Sequence, residues 1–333
     1  MKKFKNLFAI SLLAMISFYA CNNDDVNDVV PDEIIESPTD EEFGQLRSTA
    51  INQIRQEAQF EAEEGIQFES EKGVTLNIFE GTLKLDGEAV TGPVDLEFIE
   101  IFDAGSMLTT NKPTMGIKED GSKALLISGG EFYVNVTQNG EQLEVSNHMQ
   151  LVVPTDLSGG SDQDMTLWNG EIDEDENLAW NEERDTADGM GNMFVEGDQY
   201  VAFLSGFGWS NVDRFFSDPR PKTTLEVVVP IGYDMGNSAV YLYYDGEPNA
   251  LAQLDTFNES TNSFSEHYGQ IPIGLEMHVI FVTEQDGEWK YSIQPQTVED
   301  GDVYTFEEDD FITGTESDPV SYTHLTLPTK RIV

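Results

Sequence analysis

From Ile66 onward the sequence alternates between apolar and polar residues in short runs that turn-forming residues separate. Such runs have the two-residue period of β-strands with one buried face. Asn139-Gly140 and Asp286-Gly287 each lie between two alternating runs, and both dipeptides are typical of two-residue hairpin turns. Helical segments do not alternate with the strands, so a parallel nucleotide-binding sheet is not expected. The pattern predicts an all-β fold with two antiparallel β-sandwich domains.

A single amphipathic helix is predicted in front of the strands, over residues 39–65. Thr39 and Glu42 form a capping-box pattern at its start. Gly65 is expected to end it, and its one apolar face is expected to pack on the sheets. The apolar residues that recur at spacings of three and four are Phe43, Leu46, Ala50, Ile54 and Ala58.

The strands divide into two regions with an acidic segment between them. We expect the first sandwich over residues 66–160 and the second over residues 196–319. Residues 161–195 combine many carboxylates with Trp168 and Trp180, and we interpret them as a solvated acidic linker.

The acidic segment also contains a calcium candidate. Asp173, Asp175 and Asn177 match the start of a D-x-D-x-N loop, in which alternate oxygen ligands converge on a hard cation. The rest of the loop departs from the EF-hand pattern, because Leu178 replaces the glycine and Arg184 replaces the last glutamate. Calcium is therefore the one cofactor that the sequence suggests, as an alternative to a plain linker.

The second region opens with an aromatic-rich strand and turn. Phe207, Trp209 and Phe215 are candidates for contact with a ligand, since aromatic rings stack on sugar rings. The alternative is that these aromatics belong to a sandwich core. Arg214 is expected to form a buried or partly buried pair with an acid such as Asp213 or Asp218.

The chain is strongly acidic. Its 17 basic and 63 acidic residues give a net charge of −46. Without residues 1–20 and 320–333, 12 basic residues remain and the net charge is −51. A surface of this charge repels the phosphates of nucleic acid and anionic lipids, so nucleic acid is not an expected partner.

Residues 1–20 have the pattern of a signal peptide. Three lysines precede an apolar run over residues 7–20, which is too short for the roughly 20 residues that span a bilayer. Ala20 lies directly before Cys21, the only cysteine. This junction resembles the lipobox of bacterial lipoproteins, which implies that Cys21 carries a lipid that anchors the protein in a membrane. The alternative is ordinary secretion with an incidental cysteine.

Residues 21–38 form a polar, acidic segment that predicts a disordered tether. Its first part, NNDDVNDVVPDE, resembles the acidic export signal of Bacteroidota surface lipoproteins. That resemblance implies an outer-membrane lipoprotein exposed at the cell surface; a solvated linker is the alternative.

The first region contains, in this order, the segments SEKGVTLNIFEGTL, AVTGPVDLEFIEI, SMLTTNKPTM, LLISGGEFYVNV and WNGEIDEDENLAW. They resemble uncharacterised surface lipoproteins of Bacteroidota that carry a ZU5-like β-sandwich. The resemblance covers residues 70–180 and implies an interaction or scaffold role. The tripeptide His-Phe-Ser, at which some ZU5-containing proteins cleave themselves, does not occur.

No catalytic motif is visible in the sequence. His148, His267 and His278 do not form HExxH, and GxSxG is absent. The sequence therefore predicts a lipid-anchored surface protein that binds or scaffolds an unknown surface protein or glycan, and no enzyme. An accessory glycan-binding lipoprotein is one alternative.

The last residues need separate treatment. VSYTHLTLPT, residues 320–329, corresponds to a translation of transposase-type sequencing-adapter DNA. We therefore expect residues 320–333 to be an artefact and leave them out of fold reasoning. If the natural chain continues after Pro319, the visible part is the spacer region of a truncated surface enzyme, which is the second alternative.

Overall fold

The computed structural model describes residues 37–173, 178–183 and 192–315. Apart from the helices α1 (Asp40–Gln53) and α2 (Ala104–Thr110) and the 3-10 turns Thr155–Ser158 and Glu308–Asp310, their regular structure is β-strand. This confirms the predicted all-β class. No helix in this described part combines the length and the apolar character that a membrane span requires.

The strands follow one another closely along the chain. The first sandwich contains β1 (Gln56–Glu61), β2 (Ile66–Glu69), β3 (Thr75–Ile78), β4 (Leu83–Leu85), β5 (Glu88–Ala89), β6 (Pro93–Ile101), β7 (Met115–Ile117), β8 (Lys123–Gln138), β9 (Glu141–Gln142), β10 (Glu144–Val145), β11 (Met149–Pro154), β12 (Thr166–Ile172), β13 (Leu178–Glu182), β14 (Met193–Glu196), β15 (Gln199–Leu204) and β16 (Gly208–Phe215). The second contains β17 (Lys222–Val228), β18 (Ser238–Tyr244), β19 (Ala252–Gln253), β20 (Thr256–Asn258), β21 (Ser263–Pro272), β22 (Glu276–Gln285), β23 (Glu288–Thr297), β24 (Val303–Thr305) and β25 (Ile312–Gly314).

Two large sheets pack face to face in the first sandwich. Sheet A has the strand order β1-β6-β8-β16-β12-β13-β7, and sheet B has the order β14-β15-β11-β3-β2. Leu96 and Val134 of sheet A meet Leu151 and Ala202 of sheet B in one buried cluster. Strand β7 also pairs with β8, so that one end of sheet A closes into a ring of five strands. Strands β10, β4 and β5 form a small separate sheet.

Helix α1 begins as predicted and ends earlier. The Thr39 hydroxyl accepts a hydrogen bond from the Glu42 backbone, and the Glu42 carboxylate accepts one from the Thr39 backbone N–H at 2.8 Å. The helix ends at Gln53, and the chain continues as β1, antiparallel to β6. The predicted end at Gly65 is wrong because Ala58 fits the helical spacing and also alternates with Phe60 as a strand residue. Pairing with β6 stabilises the strand.

The predicted acidic linker, residues 161–195, contributes three strands to the first sandwich. Trp168 and Trp180 are at most 1% exposed. The Trp168 indole N–H donates to the Asp213 carbonyl at 3.0 Å, and that of Trp180 donates to the Pro113 carbonyl at 2.9 Å. A solvated linker therefore does not describe β12 to β14. Acidic side chains on the outward face, such as that of Glu171, raise the average polarity of this segment. The composition therefore did not indicate that the tryptophans on the inward face are buried.

The first sandwich also extends further than its predicted limit at residue 160. Strands β15 and β16, assigned from the sequence to the second sandwich, pair antiparallel with β11 and β8. The second sandwich begins at β17. The alternating pattern identified these strands correctly, but it carries no information about their partners.

The second sandwich has two sheets of its own. Sheet C has the order β20-β21-β17-β24, and sheet D has the order β19-β18-β22-β23-β25. Both predicted hairpin turns are present, with φ of 53° and 82° at Asn139 and Gly140 and of 56° and 83° at Asp286 and Gly287. Strand pairs are antiparallel as predicted, apart from the parallel pairs β7–β13 and β17–β24.

The outer faces of sheets A and D share one buried apolar cluster, in which both helices take part. Phe43 of α1 packs against Trp289, with ring centroids 6.2 Å apart. Polar contacts cross the interface as well: Lys123 pairs with Asp255 at 2.6 Å, and the Thr114 N–H donates to the Leu251 carbonyl at 2.9 Å. Residues from Ser37 onward accordingly form one compact unit. The shared cluster contains Phe43, Ile99, Ile101, Ala104, Met107, Leu108, Ala239, Tyr241, Tyr243, Leu251, Ile280, Val282, Trp289 and Tyr291.

Candidate functional site

A cleft of about 580 Å³ opens between the two sandwiches. Phe102, Asp103, Arg214 and the loop 158–162 line its first wall, and residues 246–249 line the opposite wall. Concave sites between domains are common ligand sites. The cleft is therefore the first place to examine for function.

Arg214 is the cation of this cleft, and it is already paired. Its Nε atom lies 2.6 Å from an Asp162 carboxylate oxygen. A backbone hydrogen bond from Asp164, together with Arg214, lowers the pKa of Asp162. Because Asp103 and Glu247 also line the cleft, its acids outnumber its arginine. The cleft is thus poorly suited to an anionic ligand.

The expected partners of Arg214 lie elsewhere. Asp213 is fully buried. Because neighbouring residues in a strand point to opposite faces, its side chain does not face that of Arg214. Asp218 is bound by Arg220 at 2.6 Å, and the hydrogen bonds from Arg220 lower the pKa of Asp218 to about 2. Arg214 thus forms a partly buried pair with an acid as predicted, and that acid is Asp162 and neither of the two given as examples.

Two acids among the described residues are completely buried, one on each of the neighbouring strands β8 and β16. Glu131 is 0% exposed, and neither of its carboxylate oxygens has a hydrogen-bond partner among the described residues. Asp213 accepts a hydrogen bond from Asn211 at 2.7 Å, and the Asn211 oxygen accepts one from Ser128 at 2.9 Å. Burial raises the pKa of both carboxyl groups well above the ordinary range, and the charge of Asp213 adds to the effect at Glu131.

The predicted aromatic contacts do not form one exposed platform. Phe207 packs on the main core, whereas Phe215 packs edge-on against Trp168 at 5.2 Å. Trp209 lies against Tyr133 at 5.4 Å, and the Lys112 ammonium lies 5.3 Å from the Trp209 ring centre. The rings are therefore divided among different clusters, as expected from the core alternative.

The three histidines are also separated from one another. His278 contacts Asp245 at 2.7 Å, and His267 contacts the Thr256 hydroxyl at 3.0 Å. His148 is exposed and lies edge-on to Phe203. Each histidine therefore contacts a different set of residues.

The calcium hypothesis stays a prediction. Asp173 lies at the end of a described range, and Asp175 and Asn177 lie outside the described residues. In residues 37–173, 178–183 and 192–315, no group of three or more His, Cys, Asp or Glu side chains is arranged to hold a metal ion. Cys21 and residues 320–333 lie outside the described residues as well.

Sequence reasoning missed a polar row on the outer face of sheet B. Gln67, Asn77 and Gln150 are register partners on β2, β3 and β11, and we call them the amide row. Phe203 on β15 is the next register partner, directly opposite Gln150. Phe194 on β14 lies beside Phe203, with ring centroids 6.2 Å apart, and we call these two residues the aromatic pair.

Hydrogen bonds connect the amide row across three strands. The Gln67 amide donates to the Asn77 side-chain oxygen at 3.1 Å, and the Asn77 amide donates to the Gln150 side-chain oxygen at 3.0 Å. Taken alone, each residue is an ordinary outward polar position of a strand. Only the strand register, which the sequence does not contain, could have identified the row.

The sequence was also compared with known proteins. No family model matches it, and no curated protein matches it. The resemblance to ZU5-like surface lipoproteins, and the functions that it implies, therefore stay predictions that need direct experiments.

Proposed function

We propose that the protein is a lipid-anchored binding or scaffold protein of the cell surface. The observation that supports this most is the buried interface between the two sandwiches, which joins them into one compact unit. Such a body holds its outer faces at fixed positions relative to one another. This is what a scaffold or a binding module requires.

The anchor is the part of the proposal that one substitution tests. Cys21→Ala removes the thiol that would carry the lipid, so we expect the variant in the soluble fraction and the wild-type protein in the membrane fraction. Asn22→Ala keeps the thiol and serves as the matched control. A Cys21→Ala protein that stays in the membrane fraction would contradict lipid anchoring.

Surface exposure has a separate test. A membrane-impermeant biotin reagent applied to intact cells should label the wild-type protein. Changing Asp24 and Asp25 together to asparagine should reduce this labelling without releasing the protein from the membrane fraction, if the acidic residues act as an export signal. Unchanged labelling would favour the plain-linker interpretation of residues 21–38.

The glycan-binding alternative has support from a particular observation. The amide row and the aromatic pair combine hydrogen-bonding amides with aromatic surface on one open face. Trp209, the residue expected to carry such binding, packs against the buried clusters. This alternative is therefore favoured on sheet B and disfavoured at the aromatic turn.

A further inference from the structure

The outer face of sheet B combines two kinds of side chain in one line. We propose that a neutral polysaccharide chain binds along the amide row and stacks on the aromatic pair. This inference rests on the proposed function and names its ligand class. Four neighbouring strands spaced about 4.8 Å apart make the line from Gln67 to Phe203 about 14 Å long. That length suits an extended chain of several rings better than a single sugar.

The amide row offers the groups that sugar hydroxyls need. A hydroxyl both donates and accepts, and a side-chain amide does the same through its NH₂ and its oxygen. The bonds from Gln67 to Asn77 and from Asn77 to Gln150 use only part of this capacity. Each bond also holds its amide in one orientation before a ligand arrives, which reduces the entropy lost on binding.

The aromatic pair supplies apolar contact at the end of the row. Phe194 is 46% exposed, so a large part of its ring is open to contact with a ligand. Phe203 is half-buried beneath it and also contacts the exposed His148 ring. The C–H face of a sugar ring is apolar, so stacking on these rings removes apolar surface of both partners from water.

Charge decides which polymer fits. The amide row and the aromatic pair are uncharged, while the whole chain carries a net charge of −46. The field of such a protein repels polyanions such as uronate or sulfate polymers. A neutral chain experiences no such repulsion, and its hydroxyls match the amides.

The test is affinity electrophoresis of the full lipidated chain, extracted in a non-ionic detergent without sugar headgroups. Native gels contain dextran, amylopectin, mixed-linkage β-glucan, galactomannan or arabinoxylan, and one gel contains polygalacturonate. We expect retardation in at least one neutral gel and none in polygalacturonate. Phe194→Ala and Gln150→Ala should each raise the dissociation constant obtained from the retardation about tenfold, because each removes one direct contact.

Ile231→Ala is the matched control, since Ile231 is 94% exposed and lies on the second sandwich. It should leave the retardation unchanged, and melting curves should show that all variants are folded. Retardation in no neutral gel, retardation that survives Phe194→Ala and Gln150→Ala, or preference for polygalacturonate would each overturn the proposal. These results do not depend on membrane attachment, so they are distinct from a failure of the Cys21→Ala test.

Discussion

Among the described residues, Glu131 is the acid whose two carboxylate oxygens are both buried without a hydrogen-bond partner. An acid at the surface is stabilised in its ionised form by water, but Glu131 is completely buried, where a charge is costly. Neighbouring Asp213 adds repulsion, and the Lys112 charge offsets part of it. The pKa of Glu131 is therefore higher in the folded than in the unfolded chain. Folding then binds a proton, and the unfolding free energy falls as pH rises above the unfolded pKa.

Glu131→Gln tests this environment. The new amide would be neutral at every pH, and the substitution would break no hydrogen bond that Glu131 makes among the described residues. We expect the variant to be more stable than wild type at pH 8, because burial raises the pKa of Glu131 and the wild-type chain must therefore either bury a charge or bind a proton on folding. The difference should shrink near pH 4, because Glu131 is then mostly protonated in both the folded and the unfolded chain.

Urea unfolding at the two pH values measures the difference. The exposed residue Glu276, on β22, provides a control: Glu276→Gln should change the unfolding free energy little at either pH. A Glu131→Gln protein that is less stable than wild type at pH 8 would show that the carboxylate is ionised and satisfied.

At the level of single elements, the sequence predicts best what local chemistry decides. Asn139-Gly140 and Asp286-Gly287 form the expected turns because both positions need φ > 0, which these residues tolerate. The start of α1 follows from its capping box. Its end does not, because pairing between β1 and β6 competes with the helix. The strands around Trp168 and Trp180 were missed for a similar reason, since their stability comes from distant partners.

Gly287→Ala tests the turn between β22 and β23. No atom lies within 4 Å of the position that its new Cβ would occupy, so any cost comes from the left-handed φ of 83°. We expect the unfolding free energy to fall by about 1 kcal/mol.

Gly44→Ala is the matched comparison, because Gly44 lies inside helix α1 and its new Cβ would also meet no atom within 4 Å. It should raise the unfolding free energy by about 0.5–1 kcal/mol. Thermal melts should therefore show a lower melting temperature for Gly287→Ala and a higher one for Gly44→Ala. An unchanged melting temperature for Gly287→Ala would argue against the turn geometry.

At the level of the whole molecule, the strand register and the interface between the sandwiches determine which distant residues come together. The sequence could not predict these contacts. Gln67 and Phe203 are far apart in the chain, and four strands bring them into one line. The interface likewise joins residues of both sandwiches, and Trp209 packs, partly buried, against the apolar cluster that they share. The aromatic candidates Phe207, Trp209 and Phe215 are close together in the sequence, yet they lie in different clusters. The amide row and the aromatic pair come from separate strands, so the sequence contains no signature of them.

Lys123→Met tests how strongly the interface couples the sandwiches. Lys123 and Asp255 are mostly buried, with side chains 16% and 11% exposed. Removing the ammonium leaves Asp255 without its cation, so we expect the unfolding free energy to fall by about 2 kcal/mol, between the values for exposed and buried pairs.

Arg55→Met breaks a pair of similar type, Arg55–Glu97, whose side chains are each 31% exposed. Its cost should stay below about 1 kcal/mol. Calorimetry of the full chain compares the two variants. Equal costs would show that the Lys123–Asp255 pair has no special part in holding the sandwiches together.

The contact between Phe43 and Trp289 has a consequence for how the protein is made. Helix α1 leaves the ribosome early, yet the ring that covers Phe43 is synthesised 246 positions later. Sheet A is also completed late, because β16 pairs with β8 and is not available until residue 215 has left the ribosome. The apolar face of α1 therefore stays uncovered through most of the synthesis of the chain, until the β22–β23 hairpin supplies Trp289.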